Sequence, residues 1–354
     1  MEINIKKHLL HFKKPSGTSR GVLYDKPSWI LSVQLLNGKV AQGECSVIPG
    51  LSPDFTDEIQ YESFLSKLQR QFSHWDQGEF KDVSLFQDDK WKQFLAEWSA
   101  FPSILFGMET LAKEIQHEGS AILFDSAFTR KEVAIPINGL IWMGDEAFML
   151  AQMEEKLAAG FSTIKMKVGA IDWKKEKALL KQLRTRFTAD ELTLRVDANG
   201  AFAPKEAPSK LAELAELDIH SIEQPIMAGQ LPEMKTLCAT TPIGIALDEE
   251  LIGIHGKTEK EQLLDFVQPQ YIVLKPSLHG GLTGTKEWIE LAESRGIAWW
   301  MTSALESSIG LNAIAQFTST FQNDLPQGLG TGGLYTNNFE SSLVVENGYL
   351  SMNK

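Results

Sequence analysis

Apolar positions along this chain change period twice. Between Pro27 and Leu36, six apolar residues (Trp29, Ile30, Leu31, Val33, Leu35 and Leu36) crowd a short stretch that ends in Asn37-Gly38, a strong hairpin signal. The pattern predicts a strand, a tight turn and a partner strand over Val40–Cys45. The polar stretch KKPSGTSRG, residues 13–21, reads as a loop between the first two strands, either a flap over a site or plain surface. From residue 57 to 128 the spacing lengthens to that of helices. Trp91, Phe94, Leu95 and Trp98 recur three or four apart, as do Ile104, Met108, Leu111 and Ile115. Residues 1–130 are therefore expected as an α+β module.

Beyond residue 130 short apolar runs alternate with amphipathic stretches. The runs are Val133–Ile141, Thr163–Val168, Leu192–Val196, His220–Ile222, Ile243–Leu247, Tyr271–Leu274 and Ile297–Met301. Helices are expected over Trp173–Phe187, Pro208–Leu217, Lys260–Phe266, Thr285–Glu293 and Ile309–Phe321. Strands that alternate with helices form parallel sheets. Seven runs favour closure into an α/β fold of the (β/α) barrel type over residues 131–325, with an irregular last strand near Gly328–Gly333. A doubly wound sheet is the alternative, but no glycine-rich fingerprint follows the first strand.

The polar residues at the ends of these runs carry the chemistry. Lys165-Met166-Lys167, Asp197, Glu223, Asp248 and Lys275 end successive runs, in steps of 30, 26, 25 and 27 residues from Lys167 onward. Each step is one βα unit, so a barrel puts all five positions at the C-terminal ends of its strands, where barrel sites are built. Taken singly, an Asp after a strand is usually a cap or turn residue, and a lone lysine an edge residue. Taken together, three carboxylates on three consecutive strand ends repel unless a cation lies between them. Hard oxygen donors point to Mg2+, with Mn2+ as a substitute. A carboxylate substrate bound there loses an α-proton more readily, because the cation stabilises the enediolate. Lys165 and Lys167, two apart, face the same side of a strand and offer a cation beside a tunable base. Lys275 approaches from the opposite side of the mouth.

Composition narrows the classes. The chain has 354 residues and a net charge of -12, which argues against a nucleic-acid partner. Its partner is expected to be a small-molecule carboxylate, and composition leaves the oligomeric state open. Cys45 and Cys238 are isolated and carry no CxxC spacing, so two reduced thiols are expected. The N-terminal MEINIKKHLLHFKK has no signal-peptide pattern, and no apolar stretch is long enough for a membrane span. The expected location is the cytoplasm.

The set Lys165-Met-Lys167, Asp197 in VDANG, Glu223 in IEQP, Asp248 in LDE and Lys275 in VLKPS resembles the enolase superfamily, in its muconate-lactonising subgroup. The resemblance implies a capping domain over residues 1–130, a modified TIM-type barrel, and a segment 326–354 that supplies the last strand and packs back on the cap. It implies metal ligands Asp197, Glu223 and Asp248, Lys167 as base, Lys275 as the opposing cation, and Lys165 as holder of the substrate carboxylate that also depresses the pKa of Lys167. Within the subgroup, SALESSIG (residues 303–310) and GLGTGGLYTNN (residues 328–338) are similar to the family of o-succinylbenzoate synthases of menaquinone biosynthesis. That implies a syn dehydration of 2-succinyl-6-hydroxy-2,4-cyclohexadiene-1-carboxylate, by a magnesium-dependent lyase. Ser307, Ser308, Ile309 and Gly310 open a helix and are expected to receive the distal succinyl carboxylate on their amides. Arg20, Leu51, Asn199, Ser303 and Glu306 complete the expected substrate contacts. The rival is an N-acylamino-acid racemase or dipeptide epimerase, but dipeptide epimerases carry an Asp-x-Asp pair on the last strand, where this chain reads LGTGGL. A non-catalytic module on the same scaffold is a remote reading, because no ligand or lysine of the set is missing.

Overall fold

The computed structural model describes residues 2–18, 21–75, 89–169 and 171–353. Its first module is an antiparallel sheet of β1 (Asn4–Thr18), β2 (Gly21–Gln34) and β3 (Val40–Ser46), covered by α1 (Glu58–Phe72), α2 (Asp89–Glu97) and α3 (Pro102–Gln116). The Asn37-Gly38 turn forms as the sequence predicts, with Gly38 at φ +83° and the Asn37 side chain accepting the Lys39 N–H. Trp91, Phe94 and Trp98 are buried with Trp29, Tyr61 and Phe72, so the helical spacing does reflect a core-facing stripe. Sheet and helix meet closely at Gly43, where a Cβ would stand only 2.0 Å from the Gly107 carbonyl oxygen.

Within the stretch read as a loop, the described residues 13–18 and 21 belong to strands instead. Ser16, Gly17 and Thr18 pair with Leu23, Val22 and Gly21, after a register shift that follows His11. A bulge lets both strands run on past the sheet as a twisted ribbon. The ribbon touches the second module through a Gly17–Met143 bridge.

The second module is the barrel. A short strand β4 (Ile135–Pro136) precedes β5 (Gly139–Ile141), α4 (Glu146–Ala158), β6 (Thr163–Lys167), α5 (Trp173–Arg186), β7 (Thr193–Asp197) and α6 (Ala207–Ala215). Next come β8 (Ser221–Glu223), α7 (Leu231–Thr240), β9 (Gly244–Leu247), α8 (Lys257–Val267), β10 (Tyr271–Leu274), α9 (Gly281–Glu293), β11 (Ala298–Met301) and α10 (Ser308–Thr318). Strands β5 to β11 form one parallel sheet in chain order, curled so that Gln327 and Gly328 bridge Ile137 on one edge and Thr302 on the other. The run Val133–Ile141 divides at Pro136. Ile135 and Pro136 pair with β13 (Tyr349–Met352), itself paired with β12 (Leu343–Glu346), while residues from Gly139 join the barrel. Inside the barrel, Arg195, Ala246, Val273 and Trp300 fill the space, with the Arg195 guanidinium 4.2 Å from the Trp300 ring.

Two carboxylates of the first module close the junction. Glu44 of β3 accepts the Ser307 N–H and the Gly310 N–H at 3.0 Å and the Ser307 hydroxyl at 2.5 Å, capping α10. Glu109 of α3 accepts the Leu282 and Thr283 N–H groups and the Thr283 hydroxyl, capping α9. Helix N-termini present unpaired N–H groups and a positive dipole end, which a buried carboxylate satisfies. Removing Glu44 leaves those donors unmatched and takes one of two nearby carboxylates from the buried Lys26, the other being Glu306. Glu44→Ala is expected to cost about 3 kcal/mol of unfolding free energy, with Glu44→Gln less damaging. Urea denaturation checks it, and wild-type stability for the Ala variant would discount the cap.

Candidate active site

The five strand-end residues meet at one mouth. In the parallel ladder Lys167 pairs with Asp197, and Asp197 with Glu223, so alternation sends these side chains to the same interior face. Lys165 Nζ lies 2.8 Å from both Glu223 carboxylate oxygens and 3.8 Å from Asp197 Oδ2. Lys167 Nζ donates to Asp197 Oδ2 and to Asn199 Oδ1, each at 2.7 Å. Lys275 Nζ lies 2.5 Å from both Asp248 oxygens. Three strands separate β6 from β10, so Lys167 and Lys275 come from different sides of the mouth.

Asp197, Glu223 and Asp248 are all at most 2% exposed, so their charges are strongly felt. Burial and the neighbouring Asp197 and Asp248 push the Glu223 carboxyl up to about 6, against the pull of Lys165. Burial also works against ionised Asp197, but Lys167 and Lys165 outweigh it and hold that carboxyl below the usual range. For Lys165 and Lys275 burial disfavours the charge. The facing carboxylates, Glu223 and Asp197 for the first and Asp248 and Glu249 for the second, win and raise both.

The sequence alone suggests that only a metal relieves the three carboxylates. The structure corrects that premise, because each leans on a lysine ammonium. Among the described residues no three carboxylate, imidazole or thiol groups converge as a ready-made metal cluster. The donors nevertheless suit a hard divalent cation: three buried carboxylates on adjacent strand ends, with Glu223 raised by burial and by its two acidic neighbours.

A cavity of about 200 Å³ opens above this layer. Lys165, Lys167, Asp197, Asn199, Asp248 and Lys275 form its floor. The first module supplies Leu23, Ile48 and Leu51 to its walls, and the loop after β5 supplies Trp142. Of the expected substrate contacts, Leu51, Asn199 and Ser303 line it, while Arg20 lies outside the described residues.

Glu306, Ser307, Ser308, Ile309 and Gly310 do not line it. Glu306 is buried against the Ser277 hydroxyl, and burial together with Glu44, against the pull of Lys26 and Ser277, leaves its carboxyl at about 7. The α10 amides expected to take a substrate carboxylate already serve protein groups. Ser307 and Gly310 hold Glu44, Ser308 holds Asn338 Oδ1 at 2.8 Å, and Ile309 holds the Ser307 hydroxyl. The expectation for these residues is corrected on that ground, since an occupied donor is not free for a ligand.

Sequence reasoning missed two contributors, Thr331 and Gln224. Thr331, on the closing segment, lines the cavity and its hydroxyl lies 2.6 Å from that of Ser303. Gln224, at φ +36°, accepts the Asp248 N–H at 3.2 Å through its side-chain oxygen and so braces that carboxylate's main chain. Asn199, expected as a substrate contact, is also left-handed at φ +44° and holds Lys167 with its oxygen and Glu249 with its amide nitrogen. A positive φ outside glycine in the motifs VDANG and IEQP is a backbone feature that residue types alone do not announce.

Residues 149–354, more than half of the chain, match the model of the enolase C-terminal domain-like family. The o-succinylbenzoate synthase of Desulfotalea psychrophila is 46% identical over 368 aligned positions that cover 99% of both chains. The crystal structure of MenC from Desulfotalea psychrophila LSv54 superposes with a TM-score of 0.87, at 44% identity and 99% coverage of each chain. The L-Ala-D/L-Glu epimerase of Bacillus subtilis is 29% identical over 177 residues, 49% of this chain and 47% of that one.

Proposed function

We infer, from the premise that this chain belongs to the enolase C-terminal domain-like family, that it is an enzyme with o-succinylbenzoate synthase activity, a lyase of the enolase superfamily. The observation that carries this reading is full-length identity of 46% to such a synthase, combined with Lys165, Lys167, Asp197, Asp248 and Lys275 lining one cavity.

In the proposed reaction the substrate carboxylate sits over the floor, near Lys165. Lys167, once it has released its own proton to solvent, takes the α-proton, and the C–H electrons pass into the carboxylate as an enediolate. The Lys167 ammonium then gives that proton to the hydroxyl on the same face. The C–O bond breaks, water leaves, and the ring becomes aromatic. Lys275 lies across the mouth and holds its positive charge toward the planar anion. Members of the superfamily generally use Mg2+. Asp197, Glu223 and Asp248 would hold it, and when bound it supplies charge stabilisation for the enediolate. The apolar wall from Leu23, Leu51 and Trp142 fits the ring better than a charged amino group. No helix among the described residues is long and apolar enough to cross a membrane, and the cytoplasm is the proposed location.

The opposed lysines also suit proton exchange between two faces, so racemisation of N-acyl amino acids is the second reading. The segment that closes the barrel speaks against dipeptide epimerisation, whose substrate carries a free amino group. Gly328, Gly330 and Thr331 reach the cavity from that segment, with no acid to hold an amino group. Steady-state assays are expected to give kcat/KM for the hydroxycyclohexadiene substrate about 100-fold or more above that for an N-succinyl amino acid or an Ala-Glu dipeptide. The reverse ranking would replace this function with the rival.

A further inference from the structure

Lys275 is the first residue past β10, just beyond the last ladder pair, Leu274–Met301. Its main-chain N–H donates to Nδ1 of His279 at 2.9 Å, and its carbonyl accepts the His279 N–H at 3.0 Å. One residue thus holds the polar groups on both sides of the Lys275 Cα. The turn does not depend on the imidazole for closure. The Leu278 N–H reaches the same Lys275 carbonyl at 2.8 Å, and the Gly281 N–H reaches the Pro276 carbonyl at 2.9 Å. What the ring alone contributes is an acceptor for the Lys275 N–H.

That bond also fixes the ring's chemistry. A donor facing Nδ1 requires a lone pair there, so the ring proton resides on Nε2. The ring is 2% exposed, and Nε2 has no hydrogen-bond partner among the described residues. A protonated ring would set one N–H against another. Burial and the Lys275 and Lys260 ammonium groups hold the His279 pKa well below its ordinary value, in keeping with a permanently neutral acceptor.

We propose that His279 is a positioning residue for Lys275, its neutral imidazole fixing the main chain from which the lysine reaches the substrate face. This role rests on Lys275 being an active-site group. A lysine ammonium stands at the end of a four-carbon arm, so a small rotation at Cα displaces it appreciably. A misplacement near 1 Å in a site of this kind costs about 100-fold in rate.

The test is a set of variants of the full chain, assayed for aromatic product formation with added Mg2+ and followed by thermal unfolding. His279→Leu removes the acceptor and is expected to lower kcat about 10- to 100-fold with KM nearly unchanged. His279→Asn places a carbonyl oxygen near the Nδ1 position and is expected to recover most of the rate. His279→Gln carries its polar atoms one bond farther, leaves the Lys275 N–H unmatched, and should recover little. If His279→Leu does not fold, the Asn–Gln comparison decides alone. In a Lys275→Ala background, His279→Leu should change kcat less than about twofold, because its effect acts through the missing lysine. A full multiplicative loss in that background, wild-type kcat for His279→Leu, or equal rates for Asn and Gln would overturn the proposal. If Lys275→Ala itself keeps wild-type turnover, the active-site reading of Lys275 fails, and the positioning role fails with it.

Discussion

Lys167→Ala is expected to lose dehydration by at least about 1000-fold, the upper range for removing a positioned general base. On the proposed assignment one amine both removes the α-proton and protonates the departing hydroxyl, so its loss affects both steps. Lys167 also donates to Asp197 and Asn199, and an alanine variant removes that charge as well. Lys167→Arg separates the two effects. Arginine can keep an ion pair with Asp197 but is not deprotonated near neutral pH, so it should be nearly as inactive as alanine. Recovery of turnover in Lys167→Arg would reduce Lys167 to a fixed charge. Lys275 should behave differently. Asp248 presents both oxygens to its ammonium, an arrangement a guanidinium can match with two parallel bonds. Lys275→Arg is therefore expected to keep more dehydration than Lys275→Ala, while losing deuterium exchange from the Lys275 face of an N-succinyl amino acid. Equal inactivity of both Lys275 variants, with substantial turnover in Lys167→Ala, would invert the assignment.

Metal removal is the second large expected effect. Stripping with a chelator should abolish turnover, and Mg2+ or Mn2+ should restore it. The lysine ammonium groups already balance the carboxylates, so the stripped protein is expected to stay folded and to unfold cooperatively. Glu223→Gln keeps the side chain's shape but removes the charge that Lys165 faces at 2.8 Å. Metal affinity, read by calorimetric titration with Mg2+, should fall about 10- to 100-fold or more, since a ligand is lost where partner groups alone are worth that much. Full activity in protein shown by elemental analysis to hold no metal would defeat the metal reading. Loss of cooperative unfolding in Glu223→Gln would make that residue structural instead.

The chemistry-bearing positions are legible in the chain because a barrel repeats. Lys165, Lys167, Asp197, Glu223, Asp248 and Lys275 each lie at the end of an apolar run, and one βα unit separates successive strands. The helices α4 and α7 escaped the periodicity reading. Their core-facing side chains are Met149, Gln152 and Met153 in the first, where a polar residue interrupts the apolar repeat, and Met234, Leu237 and Cys238 in the second. The occupation of the α10 amides was hidden for another reason. Ser-Ser before a helix announces a site for an anion, but the anion is Glu44, 263 residues from Ser307 in sequence. No local pattern links positions so far apart. The ribbon over residues 13–18 and the split at Pro136 likewise depend on partners from elsewhere in the chain.

Glu44 and Glu109 carry a consequence for how such a protein can be rearranged. Each is a foreign cap, supplied by one module to a helix of the other, and each meets several N–H or hydroxyl donors at a single turn. A barrel taken alone would expose two helix starts that evolved to meet carboxylates they do not carry. A first module grafted from a relative must bring acids to both places and meet helix starts in the same register. Leu23, Ile48 and Leu51, which shape the cavity wall, therefore travel with the fasteners that seat them. New substrate preference is then easier to reach by point changes within the wall than by exchange of whole modules.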